Sequence, residues 1–472
     1  MFLRTLFVFA CREVKSSWIN VPLRVMEVPQ TQYATAPNGA RVAYQVVGEG
    51  TRDIILNTNW LSCIDLMWDE PRYEHCIRRL ASCGRLLLFD KRGTGASDPL
   101  EIRDGDFDVS LLEQASEDML LVLDAVGSTR ATIVGADTGG IAAIVLAATH
   151  PERVDALVLQ DSCARFTNSS DYPWGLDVEA VSAIIGAVRE SWGTGIALFA
   201  LAPSLASDES TVRWCARYER LSVSPATMVA SFEDAAKIDV RAVLPLVRMP
   251  TMVLSHTESA FIPPGQGRYL ADNIPDARYV EFDGSDMWLF TDSRLIDQIV
   301  AFLGESSTPP GDDHRVLAAV LFTDLVSSTA QMAELGDRRW RDLLDTHDRV
   351  ISRIVNDHRG HIVDRAGDGM LATFESSARA VRCATAMATE LHKLGLNMRA
   401  GVHAGEIELR GDRVAGMAVH LAARIMGIAN ADEVIVSRTV CDLSVGSGLT
   451  FRDLGAHELK GIPGKWDLFI LD

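Results

Sequence analysis

Val320-Leu321-Phe322-Thr323-Asp324-Leu325-Val326-Ser327-Ser328-Thr329, taken with Arg365-Ala366-Gly367-Asp368-Gly369-Met370-Leu371, decides the fold of the C-terminal third of this 472-residue chain. In each stretch an apolar run of buried-strand character delivers one Asp at its end, where carboxylate and main-chain oxygens can share a divalent cation. Two such carboxylates make a metal site suited to phosphate chemistry. Outward from them the pattern predicts a strand from Arg315 to Thr323, a helical stretch to about His358 and a hairpin through Ile362–Arg365 and Leu371–Phe374. A helix to Lys393, a long strand from Met398 to Leu409 and a helix from Ala418 to Ala429 follow, giving an α+β domain over 315–472.

The length exceeds what one hydrophobic core spans, so two domains are expected, and 47% hydrophobic content supplies both cores. A formal charge of −19 argues against a nucleic-acid or anionic-membrane binder, because a phosphate surface would be repelled. Phosphate ligands must then be met by a few placed cations. The 8 Cys are scattered without a CxxC pair, which suits reduced thiols and a cytoplasmic protein. No apolar run approaches the roughly 20 residues of a membrane span. Residues 1–25 read as an N-terminal extension, or translation begins at Met26.

From about Thr35, short apolar strands (Gly39–Tyr44, Asp53–Leu56, Arg85–Phe89) give way to strands alternating with helices, which predicts an α/β domain with a mostly parallel sheet over 26–304. Ligands meet such sheets at the carboxyl ends of the strands. A helical insertion runs from about 166 to 247 with Trp174, Trp192 and Trp214, whose rings are expected mainly to pack helices. The polar, turn-rich segment 305–314 is the predicted linker, short enough that the domains sense each other's orientation.

Gly135-Ala136-Asp137-Thr138-Gly139 resembles the nucleophile elbow of the α/β-hydrolase family, whose glycines permit a turn too sharp for side chains. Asp at its centre is similar to the haloalkane dehalogenase and epoxide hydrolase branches, where a carboxylate attacks carbon. The resemblance implies that 166–247 is a lid and that Asp137, Thr138, Asn57, Met287, Ser259 and His256 border the pocket. It also implies a general base where Met287 stands and an orienting acid where Ser259 stands. With both roles vacant, the expectation is a non-catalytic fold that binds a small apolar or ester-like ligand, with Asp137 satisfied by main-chain amides at the helix N-terminus. The competing reading is an active hydrolase with Asp137 as nucleophile and His256 as base.

The C-terminal domain resembles the class III nucleotide cyclase catalytic domain along its whole length, of the ferredoxin-like kind. The motifs are Phe322–Thr329, Gly367-Asp368-Gly369, Gly401-Val402-His403-Ala404-Gly405-Glu406, Ala422-Ala423-Arg424 and Glu458-Leu459-Lys460-Gly461. The pairing with a hydrolase-like domain looks like a cyclase architecture of mycobacteria and related actinobacteria. It implies conversion of ATP, or GTP, to the cyclic nucleotide and pyrophosphate. Two divalent ions (Mg2+ or Mn2+) would sit on Asp324, Asp368 and the Leu325 carbonyl. Arg424 is implied to stabilise the transition state and Lys460 to contact the terminal phosphates. Both would come from the second copy of a homodimer.

Three positions depart from that pattern. Asp364 stands where the family has an adenine-reading lysine, Arg413 where it has the paired acidic or hydroxyl residue, and His420 where it has a ribose-binding asparagine. The base-reading pair is thus reversed in charge and is expected to form a salt bridge, and base selection by the usual contacts is in question. The alternative to an active cyclase is a protein that only binds nucleotide and ligand.

Overall fold

The computed structural model describes residues 28–100, 102–103, 106–107, 111–305, 315–366, 368–410 and 413–472. The N-terminal extension, Gly367 and all of the linker except Glu305 lie outside them.

The first sheet has eight strands: β1 (Gln32–Thr35), β2 (Arg41–Val47), β3 (Asp53–Asn57), β4 (Arg85–Phe89), β5 (Ala131–Ala136), β6 (Val154–Gln160), β7 (Thr251–His256) and β8 (Arg278–Phe282). Their order is β1-β2-β4-β3-β5-β6-β7-β8, antiparallel at β1-β2-β4 and parallel from β4 to β8. Strands β3 and β5 are buried along their whole length, as continuous apolar runs covered on both faces must be. Helix α1 (Leu111–Ala125) precedes β5 and α2 (Thr138–Thr149) follows it. The lid contains α3 (Val178–Ser191), α4 (Glu209–Ser222) and α5 (Pro225–Ala235), and α6 (Ser293–Glu305) closes the domain.

The second sheet comprises β9 (Arg315–Leu325), β10 (His361–Ala366), β11 (Gly369–Phe374), β12 (Met398–Arg410), β13 (Arg413–Ala415), β14 (Val434–Ser437), β15 (Phe451–Glu458) and β16 (Lys465–Leu471). It is ordered β10-β11-β9-β12-β14-β16-β15, with β13 on β12. The predicted helical stretch before β10 is two helices, α7 (Ser328–Leu335) and α8 (Asp337–Asp357), broken at Gly336, whose φ of 74° no side-chain-bearing residue adopts readily. Helix α9 (Ser377–Lys393) follows β11. Helix α10 (Met417–Met426) stops short of the expected Ala429, its C-cap at Gly427.

The two domains share one hydrophobic core, in which Leu317, Ala319 and Leu321 of β9 join the side chains of the first sheet. Helix α2 is apolar all round, with every residue from Thr138 to Ala148 buried, because it packs on its own sheet and also against β9. Polar contacts reinforce the joint. Glu113 of α1 accepts hydrogen bonds from the Ser376 hydroxyl and the Ser377 N–H (both 2.8 Å) at the start of α9. Glu117 pairs with Arg379 and lies 3.7 Å from Arg359, and Arg248 reaches Glu406 at 2.7 Å. Among the described residues no helix is long and apolar enough to cross a membrane.

Candidate functional sites

In the second domain the strand register builds the site. Thr323 of β9 pairs with Met370 of β11 as the last pair of that ladder, so Asp324, the next residue of β9, and Asp368, just before β11, stand at adjoining strand ends. One carboxylate oxygen of Asp368, Oδ2, is buried without a hydrogen-bond partner, which is costly unless a cation completes it. Asp324 carries a neighbour that sequence reasoning missed. Arg399 faces it across β12 and donates to its Oδ2 from Nη2 at 2.5 Å and from Nε at 3.1 Å. Among the described residues no three His, Cys, Asp or Glu side chains converge. Two carboxylates and main-chain oxygens are nevertheless hard donors that fit magnesium or manganese.

His420 and Arg424 lie one turn apart on α10, and Lys460 follows β15; all three are exposed. None of the three forms a hydrogen bond or ion pair in the single chain among the described residues. Asp364 is exposed on β10, where its carboxylate accepts from the Arg365 N–H at 2.8 Å. Strand β13, which begins at Arg413, approaches β10, but the Arg413 side chain lies outside the described residues, and with it the expected salt bridge.

In the first domain the elbow is present. Asp137 sits between β5 and α2 at φ 53°, ψ −124°, a strained conformation typical of functional turns. A Cβ on Gly139 would lie 2.1 Å from the Asn57 carbonyl, which is why the second residue of α2 must be glycine. The expectation that main-chain amides satisfy Asp137 is not met. Both carboxylate oxygens are buried without a full hydrogen bond and the side chain does not cap α2, although the Thr138 main-chain N–H is near enough to favour the ionised form. Burial therefore pushes its carboxyl up to about 8, the Asp161 charge adding to the effect and Lys91 opposing it.

Met287 and Ser259, standing where base and acid were expected, meet each other. The Ser259 hydroxyl lies 3.4 Å from the Met287 sulfur. Neither can move a proton from water. His256 is spoken for by carboxylates: Nδ1 lies 2.7 Å from Asp161, and Nε2, without a hydrogen bond, faces Asp292 at 3.8 Å. These neighbours raise its pKa against the effect of burial, favouring the imidazolium, which cannot accept a proton. Asp161 escaped sequence reasoning because it is a strand-end Asp with no motif around it. Purified protein is accordingly expected to turn over p-nitrophenyl esters and haloalkanes at background rate, unchanged by Asp137→Ala. Turnover lost in the variant would overturn this.

One void adjoins the elbow and another lies farther out, under the lid. A cavity of about 80 Å3 is lined by Asn57, Thr138, Lys91 and the inner face of α1. Beneath the lid, an apolar cleft of about 410 Å3 is lined by Trp192, Phe199, Phe232 and Phe261, and Trp60 borders both. Of the lid tryptophans, Trp192 thus lines a void, whereas Trp214 stacks on Tyr218 and Trp174 packs on Tyr172.

Residues 73–293 match a model of the alpha/beta hydrolase fold, and residues 314–472 match the adenylate and guanylate cyclase catalytic domain. A pimeloyl-acyl-carrier-protein methyl ester esterase of Neisseria meningitidis is 31% identical over 169 residues, which is 34% of this chain and 66% of the esterase. A Rhizobium meliloti protein named as an adenylate cyclase is 30% identical over 157 residues, 31% of this chain and 27% of that protein. The chain therefore spans less than two thirds of either curated relative. An esterase structure from Exiguobacterium antarcticum superposes with a TM-score of 0.51 at 20% identity, covering 58% of this chain and all of that one, a likeness of fold alone.

Proposed function

The chain joins a domain of the α/β-hydrolase fold to an adenylate and guanylate cyclase catalytic domain, and from that premise we propose a homodimeric nucleotide cyclase that makes 3′,5′-cyclic AMP from ATP, regulated by a non-catalytic hydrolase-like domain. The working division is 26–304 with its lid at 166–247, linker 305–314 and cyclase 315–472. The observation that carries the reading is the buried, unpartnered Asp368 oxygen at the strand end that adjoins the one bearing Asp324.

Asp324 and Asp368, with the Leu325 carbonyl, would hold two divalent ions, which when bound supply Lewis acidity to the ribose 3′-oxygen and the triphosphate. Arg399 competes with a cation for the same Asp324 oxygen. Arg424 of the second copy lays its fork on the α-phosphate and takes up charge as the bond to pyrophosphate breaks. Lys460 of that copy neutralises the terminal phosphates, and His420 hydrogen-bonds the ribose. The exposure of all three, without partners among the described residues of one chain, supports the dimer.

The test is incubation of the full chain with Mn2+ and ATP, then GTP, and chromatography for cyclic product. Cyclic AMP is expected; failure with both nucleotides, with nucleotide binding unchanged in Asp324→Ala, retires the proposal. Because a carboxylate cannot donate to adenine N1, the exchange Asp364→Lys with Arg413→Asp is expected to raise the ATP rate about tenfold or more, a hydrogen bond to a charged group being worth about 1.5–3 kcal/mol. No change or a fall means these residues do not read the base.

A further inference from the structure

The geometry points to the cavity around Lys91 as a regulatory site for a short-chain carboxylate, whose occupancy reaches the cyclase domain through α1. This deepens the ligand-sensing reading above and rests on it.

The recognition chemistry is in the walls. Lys91 Nζ donates to the carbonyls of Asn59 at 2.8 Å and Thr58 at 3.2 Å, which uses two of its three N–H groups and leaves one without a partner among the described residues. Asn57, fully buried, gives its amide N–H to the Gly139 carbonyl at 2.9 Å, while its Oδ1 has no partner. The cavity thus offers one cationic donor and one unsatisfied acceptor, with Leu100, Leu111, Leu112 and Ile238 on its apolar side and Gln114, Asp118, Thr227 and Asp234 on its polar side. Asp118, the nearby acid of α1, is held by Arg92 (Nε at 2.5 Å, main-chain N at 2.9 Å), so although its charge and those of Asp90 and Asp137 favour the ammonium, among the described residues none of the three hydrogen-bonds to Lys91. A carboxylate takes the free Lys91 N–H and buries a short alkyl tail. At roughly 10–15 Å3 of such volume per water-sized group, a cavity of about 80 Å3 holds about six heavy atoms, the size of butyrate.

The same walls touch the other domain. Arg92, next in sequence to the ligand-binding Lys91, spans Asp118 and Glu117, the latter at 3.3 Å. Glu117 in turn holds Arg379 on α9. Helix α1 therefore presents Leu111, Leu112 and Asp118 to the cavity, and Glu113 and Glu117 to the start of α9. A second wall does likewise: Asp234 of α5 lines the cavity and approaches Gly446 so closely that a Cβ there would lie 2.6 Å from its oxygen. A ligand that displaces Lys91 or α1 cannot leave these contacts unchanged.

The test uses the full chain without nucleotide. Calorimetry is expected to show saturable binding of butyrate, at least about tenfold weaker binding of butyramide and 1-butanol, and a loss of that size in Lys91→Met, as for one charge-assisted hydrogen bond. Hydrogen exchange over 376–393 is expected to change with butyrate in the wild type and not in Glu117→Ala, which binds butyrate normally. Equal binding of butyrate and butyramide in the wild type, a comparison that no misfolded variant can confuse, overturns the carboxylate assignment. Binding without altered exchange over 376–393 overturns the coupling. Neither readout needs cyclase turnover, so failure here is distinct from failure of the manganese and ATP assay.

Discussion

Mixing Asp324→Ala protein with Arg424→Ala protein is expected to restore cyclisation to about a quarter of the wild-type rate, although each variant alone loses it. In a two-fold symmetric dimer half of a randomly mixed population is heterodimer, and each heterodimer has one intact site out of two. The loss in each variant alone is expected to be about a hundredfold or more, as for removal of one electrostatic group aimed at developing charge. The structural basis is a division within the chain. The strand register brings Asp324 and Asp368 to adjoining strand ends, whereas Arg424 and Lys460 are exposed and without a partner among the described residues of the same copy. Rates of mixtures measured against protein concentration check it. A mixture no faster than its components would place all four residues in one chain's site.

The second large effect concerns the joint between domains. Burial raises the Glu113 carboxyl to about 7, against the hydrogen bonds from Ser376 and Ser377 and the charge of Arg379, which favour its ionised form. In the unfolded chain it ionises near 4.5, so between about 4.5 and 7 the folded state holds a proton that the unfolded state has released. Stability from this group is therefore full below about pH 4.5 and is lost as pH rises to about 7, a difference of about 3 kcal/mol. Glu113→Gln mimics the protonated acid, since its amide can donate to the Ser376 oxygen and its carbonyl can accept from the Ser377 N–H. Denaturant unfolding is expected to find the variant equal to wild type at pH 4.5 and about 3 kcal/mol more stable at pH 8. A gap of the same size at both pH values would show that Glu113 is ionised throughout.

Much of this was legible in the chain itself. The apolar run ending at Asp324, the Gly-flanked turn at Asp137 and the alternation of strands and helices are local patterns, fixed by neighbours a few residues away. The groups that escaped notice depend on partners far off in sequence. Asp161 meets His256 95 positions on, Arg399 meets Asp324 75 positions back, and Glu113 meets Ser376 across 263. Each is an ordinary charged residue with no motif around it, and only tertiary packing gives it a role. The Lys91 cavity is intermediate: Asp90-Lys91-Arg92-Gly93 is visible as a turn after β4, but not that α1 closes over it.

The apolar helix α2, covered partly by its own sheet and partly by β9, also bears on how the protein is made. The ribosome releases 131–149 long before β9 is synthesised, so the newborn first domain shows water an oily flank that only the later domain can shield. A chain truncated before Arg315 keeps that flank exposed permanently. Such fragments should clump or recruit holdase chaperones, while full-length product stays in solution.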